Sequence, residues 1–401
     1  MQSPGSAEGK PVATLADVLI VGGGPVGLLL GCELEARGLR CRIFEQRPEP
    51  STHSRAIGIH PPSLEILARL GLADDFVREG IRVTEAEART RHRSLGKVDL
   101  SRRAGPFPFV LVLPQPKTEA LLRESLHRRA PDALRVGATV VGVEGGEHPC
   151  VFTRTTEGRS EAHHARFIVG ADGRNSIVRR SLSIPCTSET LGPSYVMADF
   201  NDETPLGTRA VIYLADEGLV ESFPLPEGKR RWVVEAPAPR READSTEIAR
   251  WVAERTGVRL RPETALLPSA FGAEQRLAAR FKTTGCALVG DAAHVVSPFG
   301  AQGMNLGWQG AFLLAEALQL VFQQRADIDS TLAVYERRQR RAARRAQRRA
   351  DWNGRLGRRS ALPAIRNLAA RLMLTATSQR TLAHFFTMSF LESERRRWPP
   401  P

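Results

Sequence analysis

Ala16-Asp17-Val18-Leu19-Ile20-Val21-Gly22-Gly23-Gly24-Pro25-Val26-Gly27-Leu28-Leu29-Leu30, running on to Cys41-Arg42-Ile43-Phe44-Glu45-Gln46-Arg47, is where this sequence says most about itself. Val18–Val21 is a short apolar run rich in β-branched residues, which predicts a buried strand. Gly22, Gly24 and Gly27 then fall in the G-x-G-x-x-G spacing. Leu28–Ala36 has the composition of a helix, Gly38 is placed to end it, and Arg40–Phe44 predicts a second strand with Glu45 at its end. Gly22 permits a tight turn, Gly24 lets backbone approach a pyrophosphate, and Gly27 lets helix and strand pack closely. The helix N-terminus offers free N–H groups and a positive dipole end to phosphates. A carboxylate about 20 residues on, here Glu45, accepts hydrogen bonds from an adenosine ribose. Strand, glycines, helix, second strand and acid in this order specify a dinucleotide site and leave NAD and FAD equally open.

The 401 residues suffice for two or three domains and a sizeable core. With 42% hydrophobic and 25% charged residues, the composition is that of a globular protein. A net charge of +13 favours acidic small molecules or weak attachment to polyanions. Cys32, Cys41, Cys150, Cys186 and Cys286 are scattered without a C-x-x-C, which predicts reduced thiols in a reducing cytoplasm. No apolar run reaches the length of a spanning helix. Residues 1–16 lack the charged-then-apolar order of a signal peptide and read as a flexible tail.

Arg47–His60 is rich in Pro and Ser and predicts a loop, carrying Arg55 and His60. Pro61–Leu70 predicts a helix ended by Gly71, Phe107–Leu113 a strand, and Thr118–Arg129 a helix. Leu134–Val143 and Cys150–Thr156 suggest paired strands, and Arg166–Val169 another buried strand leading to Gly170-Ala171-Asp172-Gly173. From Ser194 to about Phe271, short strand candidates at Tyr195–Phe200, Ala210–Leu214, Leu219–Pro224 and Arg231–Glu235 alternate with Gly207, Gly218 and Gly228. They predict an antiparallel sheet inserted between nucleotide-binding pieces, with a helix at Thr246–Thr256. Cys286–Val289 is again a buried strand, followed by Gly290-Asp291-Ala292-Ala293-His294 and a long apolar helix at Leu306–Gln324. Further on, Arg337, Arg340, Arg341, Arg344, Arg345 and Arg348 share one helical face. No aromatic residue interleaves with them, so a solvated face is the simpler reading than a polyanion contact. Ala361–Phe390 is amphipathic and predicts packing onto the body through Leu368, Leu372, Phe385 and Phe386.

Three motifs are now in line: Gly22–Gly27 with Glu45; Gly170–Gly173 with Ser176 and Arg179; and Gly290–His294 with Pro298, Gly300, Gln302, Gly303 and Asn305. Their order and spacing over residues 17–350 resemble the single-component flavoprotein hydroxylases, the family typified by p-hydroxybenzoate hydroxylase. The stretch Arg55-Ala56-Ile57-Gly58-Ile59-His60 is most similar to hydroxylases that tailor aromatic polyketides and other phenolics. Many of those carry a further thioredoxin-like C-terminal domain, for which this chain is expected to be too short.

The resemblance implies an α/β fold. A Rossmann-like FAD-binding domain with a parallel sheet is expected at 17–80, 114–192 and 277–330. An inserted, mostly antiparallel substrate-binding sheet is expected at 81–113 and 193–276, and C-terminal helices at 331–401. It also implies tight, non-covalent FAD and transient NADH or NADPH. Gly22, Gly24, Pro25, Gly27, Glu45 and Gln46 would hold the ADP half. Arg55 and Gln115 would lie near the flavin and its ribityl–phosphate chain, and Asp172 and Gly173 would serve FAD and the nicotinamide. Gly290 and Asp291 would meet ribityl or ribose hydroxyls. Pro298, Gly300, Gly303, Met304 and Asn305 would pass beside the isoalloxazine. The residue chemistry agrees: Gly300 and Gly303 admit backbone close to a flat ring. A helix starting near Gly303–Asn305 would stabilise an anionic reduced flavin. Taken singly, Asp172 also reads as a turn former and Asp291 as a helix N-cap.

The implied activity is hydroxylation of a phenolic or polycyclic aromatic substrate by NAD(P)H and O2 through a flavin C4a-hydroperoxide. A flavin epoxidase of the same fold, a flavin-dependent reductase of isoprenoid-like compounds, and a non-catalytic polyanion binder are the alternatives. No catalytic base is identified. Arg55 and His294 are weak candidates, and His294 reads first as a structural histidine. Tyr195, Tyr213, Phe223, Trp232, Pro298 and Phe299 are pocket candidates, each reversible by a one-residue strand slip. No metal site and no specific nucleic-acid partner are expected, and the protein is expected to be a cytoplasmic monomer or homodimer.

Overall fold

The computed structural model describes residues 16–50, 56–155, 157–357 and 362–396; Arg55 and residues 1–15 of the expected tail lie outside them. Ala16, also assigned to that tail, is buried at 2% exposure.

Val18–Val21, Phe167–Gly170 and Cys286–Leu288 are buried at every position. Such unbroken apolar runs suit strands covered on both faces. They form the middle of a six-stranded sheet ordered Lys282–Thr283, Cys286–Leu288, Phe167–Gly170, Val18–Val21, Cys41–Glu45, Leu134–Val136. All neighbours run parallel except the Lys282–Thr283 edge. The helix Pro25–Glu35 begins with proline in its first turn, where no N–H is missed. It lies so close to its strand that a Cβ on Gly27 would sit 2.0 Å from the Gly22 carbonyl oxygen. The helix Gln302–Gln324 packs against it, with the Trp308 indole donating to the Pro25 carbonyl at 2.9 Å. Leu134–Val143 does not form one strand: Gly137, at φ +69°, turns the chain from Leu134–Val136 into Ala138–Glu144. The latter pairs with Cys150–Thr155 in a separate small sheet.

The excursions between these strands meet in one eight-stranded sheet. Its order is His294–Val295, Leu266–Ala278, Cys186–Asn201, Lys229–Glu235, Gly218–Leu225, Ala210–Ala215, Glu85–Arg89, Ser94–Asp99. It is antiparallel apart from the pairing of Ala210–Ala215 with Glu85–Arg89. Cys186–Asn201 is a single strand that runs through the boundary expected at residue 192. One face of this sheet packs on the helix Ser245–Thr256, which Asp244 caps by accepting from the Thr246 N–H at 2.9 Å. The other face looks back toward the parallel sheet.

The helix Ile328–Gly357 lays Ala342, Ala343, Ala346 and Ala350 against Val296 and Leu306. Arg337, Arg341, Arg344, Arg345 and Arg348 are exposed, whereas Arg340 turns back to the Ala278 and Ala279 carbonyls. In the helix Pro363–Ala376 the inward residues are Arg366, Asn367, Ala370 and Leu374. Leu368 and Leu372, expected to pack, are each 56% exposed. The reason is the close seat of Leu374 on Gly96, where a Cβ would come within 2.6 Å; it selects the other side of the helix. Among the described residues, no helix is long and apolar enough to cross a membrane.

Gly27→Ala is expected to destabilise the protein by about 2 kcal/mol or more, because the turn at Gly22 must open to admit the methyl group. Urea unfolding measures this, and an unchanged midpoint would contradict the close helix–strand contact.

Candidate active site

The three sequence motifs follow three adjacent parallel strands. Backbone bonds join them: Gly22 N–H to the Phe44 carbonyl (2.8 Å), Ala171 N–H to Val21 (2.8 Å), and Val289 N–H to Gly170 (2.9 Å). Arg179 adds a side-chain tie, donating to the Ala292 carbonyl and to the Arg174 carbonyl, each at 2.9 Å. All three turns therefore open at the carboxyl edge of one sheet, where α/β folds bind ligands. Gly22 sits at φ +106°, a conformation that glycine alone adopts freely.

Glu45 holds the glycine turn. One of its oxygens accepts from the Gly23 N–H at 2.7 Å, the other from the Arg47 N–H and Nε at 3.0 and 2.9 Å. Burial raises its pKa, but these bonds outweigh that and hold the carboxyl below the usual range.

A cavity of about 1010 Å³ starts at this edge and continues to the open face of the eight-stranded sheet. Gly22, Gly24, Pro25, Glu45 and Gln46 line one end, Gln115, Asp172, Gly173 and Asp291 the middle, and Pro298, Gly300, Gly303 and Met304 the wall beyond. Gly27, Gly290 and Asn305 are not on the wall. Gly27 and Gly290 serve packing instead: a Cβ on Gly290, at φ +62°, would lie 3.1 Å from the Val26 methyl groups. Asn305 is a clamp. Its amide donates to the Gly58 and Ala301 carbonyls at 2.9 and 2.7 Å and accepts from the His60 N–H at 2.8 Å. That spends the polar capacity expected for a cofactor.

His60 lines the cavity and was absent from the expected site. Its Nε2 is 2.9 Å from the Gly300 carbonyl, an acceptor only, so this nitrogen carries the proton. Burial pulls its pKa down to about 4 and keeps the ring neutral. His294 is likewise pulled down to about 4 by burial, and its Nε2 lies 3.1 Å from the Gln339 amide. It does not reach the cavity wall, which corrects its candidacy as an acid or base.

The residues fit FAD on three counts. First, a Cβ on Gly24, Gly173 or Gly303 would meet no protein atom within 4 Å, so these backbones face open cavity. Second, two carboxyls are underserved. Asp172 caps the short helix Ile177–Ser181 with one oxygen, accepting from the Ile177 and Val178 N–H groups at 2.6 and 3.1 Å, while its other oxygen is buried without a partner. Asp291 does not act as the N-cap of its turn. It is exposed to the cavity, and desolvation by the protein walls around it pushes it up to about 6 despite Arg174 nearby. Ribose and ribityl hydroxyls would supply donors to both. Third, Ala301, at φ +52°, leads into the helix Gln302–Gln324 without a side-chain cap, so the free N–H groups of its first turn meet the cavity at Gly303 and Met304.

At the far end, Tyr195, Phe223, Pro298 and Phe299 line the cavity, with the Tyr195 ring 5.0 Å from Phe299 and 5.8 Å from Phe271. Tyr213 and Trp232, also expected there, lie on the opposite face, 6.2 Å apart beneath Ser245–Thr256. Side chains alternate along a strand, so Ile212, Leu214 and Val233 take the cavity side instead. Met197, Glu221, Arg174 and Arg180 also line the cavity and were missed. The alternation of Leu219, Glu221 and Phe223 was the one available signal for Glu221.

Fold and site together define a dinucleotide-binding α/β protein with a second, ligand-enclosing sheet. The chain belongs to the FAD binding domain family, whose model matches residues 15–350. FAD is therefore the dinucleotide that the glycine stretch left open. A 6-methylpretetramide 4-monooxygenase of Streptomyces rimosus is 33% identical over 321 residues, 76% of this chain and 56% of that protein. A rifampicin monooxygenase of Streptomyces venezuelae is 34% identical over 309 residues, 74% of this chain and 63% of that protein. This chain thus spans between half and two thirds of the length of these relatives. Among solved structures, an anhydrotetracycline hydroxylase from Streptomyces rimosus superposes with TM-score 0.77 at 28% identity, covering 93% of this chain and 76% of that one. A p-nitrophenol 4-monooxygenase from Pseudomonas putida DLL-E4, at 23% identity, shares the fold with TM-score 0.84 over 94% of this chain and 98% of that one.

The face assignment has a direct check. Trp232→Ala is expected to cost about 3–5 kcal/mol in urea unfolding, as core aromatic truncations do. Phe223→Ala is expected to cost clearly less, because part of its ring already faces open cavity. Equal losses would contradict the register.

Proposed function

We propose that this chain is an FAD-dependent monooxygenase that uses NADH or NADPH and O2 to hydroxylate a phenolic or polycyclic aromatic compound. One observation carries the reading: a single cavity joins the phosphate- and hydroxyl-binding edge to an apolar, aromatic sheet face. The activities of the relatives, monooxygenases and hydroxylases of polycyclic aromatic compounds by name, support it. In this reading the parallel-sheet unit (17–80, 114–192, 277–330) holds FAD, and 81–113 with 193–276 hold the substrate. The C-terminal helices close the cavity with Ala370, Met373, Leu374 and Phe386.

When bound, FAD supplies the redox and oxygen chemistry. The chain's own residues bind and orient. The Gly22–Gly24 backbone and the N-terminus of Pro25–Glu35 take the pyrophosphate, and Glu45 and Gln46 the adenosine ribose. Gln115, Asp172, Gly173 and Asp291 take the hydroxyl-bearing chain. The Gly303 and Met304 N–H groups and their helix dipole favour negative charge on the adjoining ring. Tyr195, Phe299 and Phe271 exclude water and present an aromatic wall to the substrate. All five cysteines are free thiols, which supports action in a reducing cytoplasm.

Protein loaded with FAD is expected to oxidise NAD(P)H faster when an accepted aromatic is added, and to place one atom of labelled dioxygen in the product. A reduced or oxidised product without label would leave the flavin reductase instead. FAD affinity is expected to rise with pH through about 6. Burial raises Asp291, ligand hydroxyls donate to its ionised form, and binding below that pH must therefore release a proton. Asp291→Ala is expected to weaken FAD binding roughly ten-fold or more and to remove this pH step. A flavin fluorescence titration reads both, and an unchanged profile would refute the role of Asp291.

A further inference from the structure

Glu221 is the anomaly of the substrate end. The strand Gly218–Leu225 turns Leu219, Glu221 and Phe223 to the cavity and Val220 and Ser222 to the core behind. Across the sheet Glu221 faces Val233 on one side and Ile212 on the other, both apolar and both on the cavity wall. No hydrogen bond or ion pair from the described residues reaches its carboxyl. The neighbouring charges are already committed. Arg231 is bound to Asp199 through two bonds of 2.7 and 2.9 Å. Glu87 meets Arg209 at 3.4 Å. Arg366, on the helix Pro363–Ala376, donates to the Leu214 and Ala215 carbonyls at 2.8 and 3.2 Å. Burial alone pushes Glu221 up to about 7.

Its position in the sheet adds a distance. Val233 lies opposite Met197, so Glu221 stands two strands from Met197. At the usual strand spacing that is about 10 Å. Met197 shares its strand with Tyr195, whose ring touches Phe299 beside the cofactor edge. A ligand lying over both Met197 and Glu221 is longer than one aromatic ring.

We propose that Glu221 is the substrate-orienting acceptor of this cavity, taking the hydrogen bond of a phenolic hydroxyl on the part of a fused-ring substrate remote from Met197. This rests on the aromatic reading above and deepens it. A hydroxyl donor satisfies the carboxyl where no protein group does. A methyl ether leaves it unpaired, and a ligand carboxylate meets like charge. The bond is charge-assisted when Glu221 is ionised, and so stronger than a neutral one.

The experiment compares 2-hydroxyanthraquinone with 2-methoxyanthraquinone, titrated into the FAD-loaded protein and followed by ligand fluorescence. The wild type is expected to prefer the hydroxyl compound roughly ten-fold or more. Glu221→Gln and Glu221→Leu are each expected to cut that preference to about two-fold or less, with FAD absorbance showing that the variants are folded and loaded. Affinity of wild type for the neutral phenol is expected to rise with pH toward and through about 7, and in Glu221→Gln to lose that rise. Here His60, held near 4 by burial, stays neutral throughout. An undiminished preference in both variants would overturn the assignment while leaving the aromatic reading intact. Failure of both compounds to bind the wild type would overturn the aromatic reading, and this one with it.

Discussion

Two backbone hydrogen bonds, Ala171 N–H to Val21 and Val289 N–H to Gly170, bring three turns from distant parts of the chain to one edge. Parallel strands cannot be joined by tight turns, so each pairing needs a long crossover. Here the crossovers build the second sheet and its covering helix. The register of three short strands thus sets both the edge where the glycine turns open and the place where the eight-stranded sheet docks. Arg179 reinforces the same junction from the side by holding the Ala292 carbonyl.

The cavity divides by polarity. Near the parallel sheet it is lined by glycine-rich backbone and by the Asp172 and Asp291 carboxyls. Along the open face of the eight-stranded sheet the wall is mostly apolar, and the Glu221 carboxyl is set into it between Ile212 and Val233. Buried polar groups without partners lower stability, and a ligand that satisfies them returns it. The protein therefore keeps part of its stability for the loaded state. Asp172 spans both roles, because one oxygen caps a helix and the other is left for the ligand.

Polar residues in the motifs also divide their work. Asn305 looks like a ligand contact in sequence and Arg179 belongs to the second motif, yet both tie backbone segments together. Glu45 does both, lining the cavity while holding the Gly23 N–H and Arg47. Such tethering makes a loop-built site rigid enough to hold a cofactor in one pose.

Sequence by itself determined the nucleotide-binding unit, since its signals are local: an apolar run, glycines at set spacing, a helix and an acid. It also determined, through three ordered motifs, that FAD chemistry was the one to expect. Only the tertiary structure decided which side of each substrate strand faces the cavity. Alternation has two phases, and pairing register selects between Ile212 and Tyr213, or between Val233 and Trp232. It likewise decided that Leu368 and Leu372 stay in solvent, because the contact of Leu374 with Gly96 orients that helix. Glu221 was hidden for the same reason: a charged residue in a strand reads as facing water, and only packing of the sheet against the cavity turns it inward.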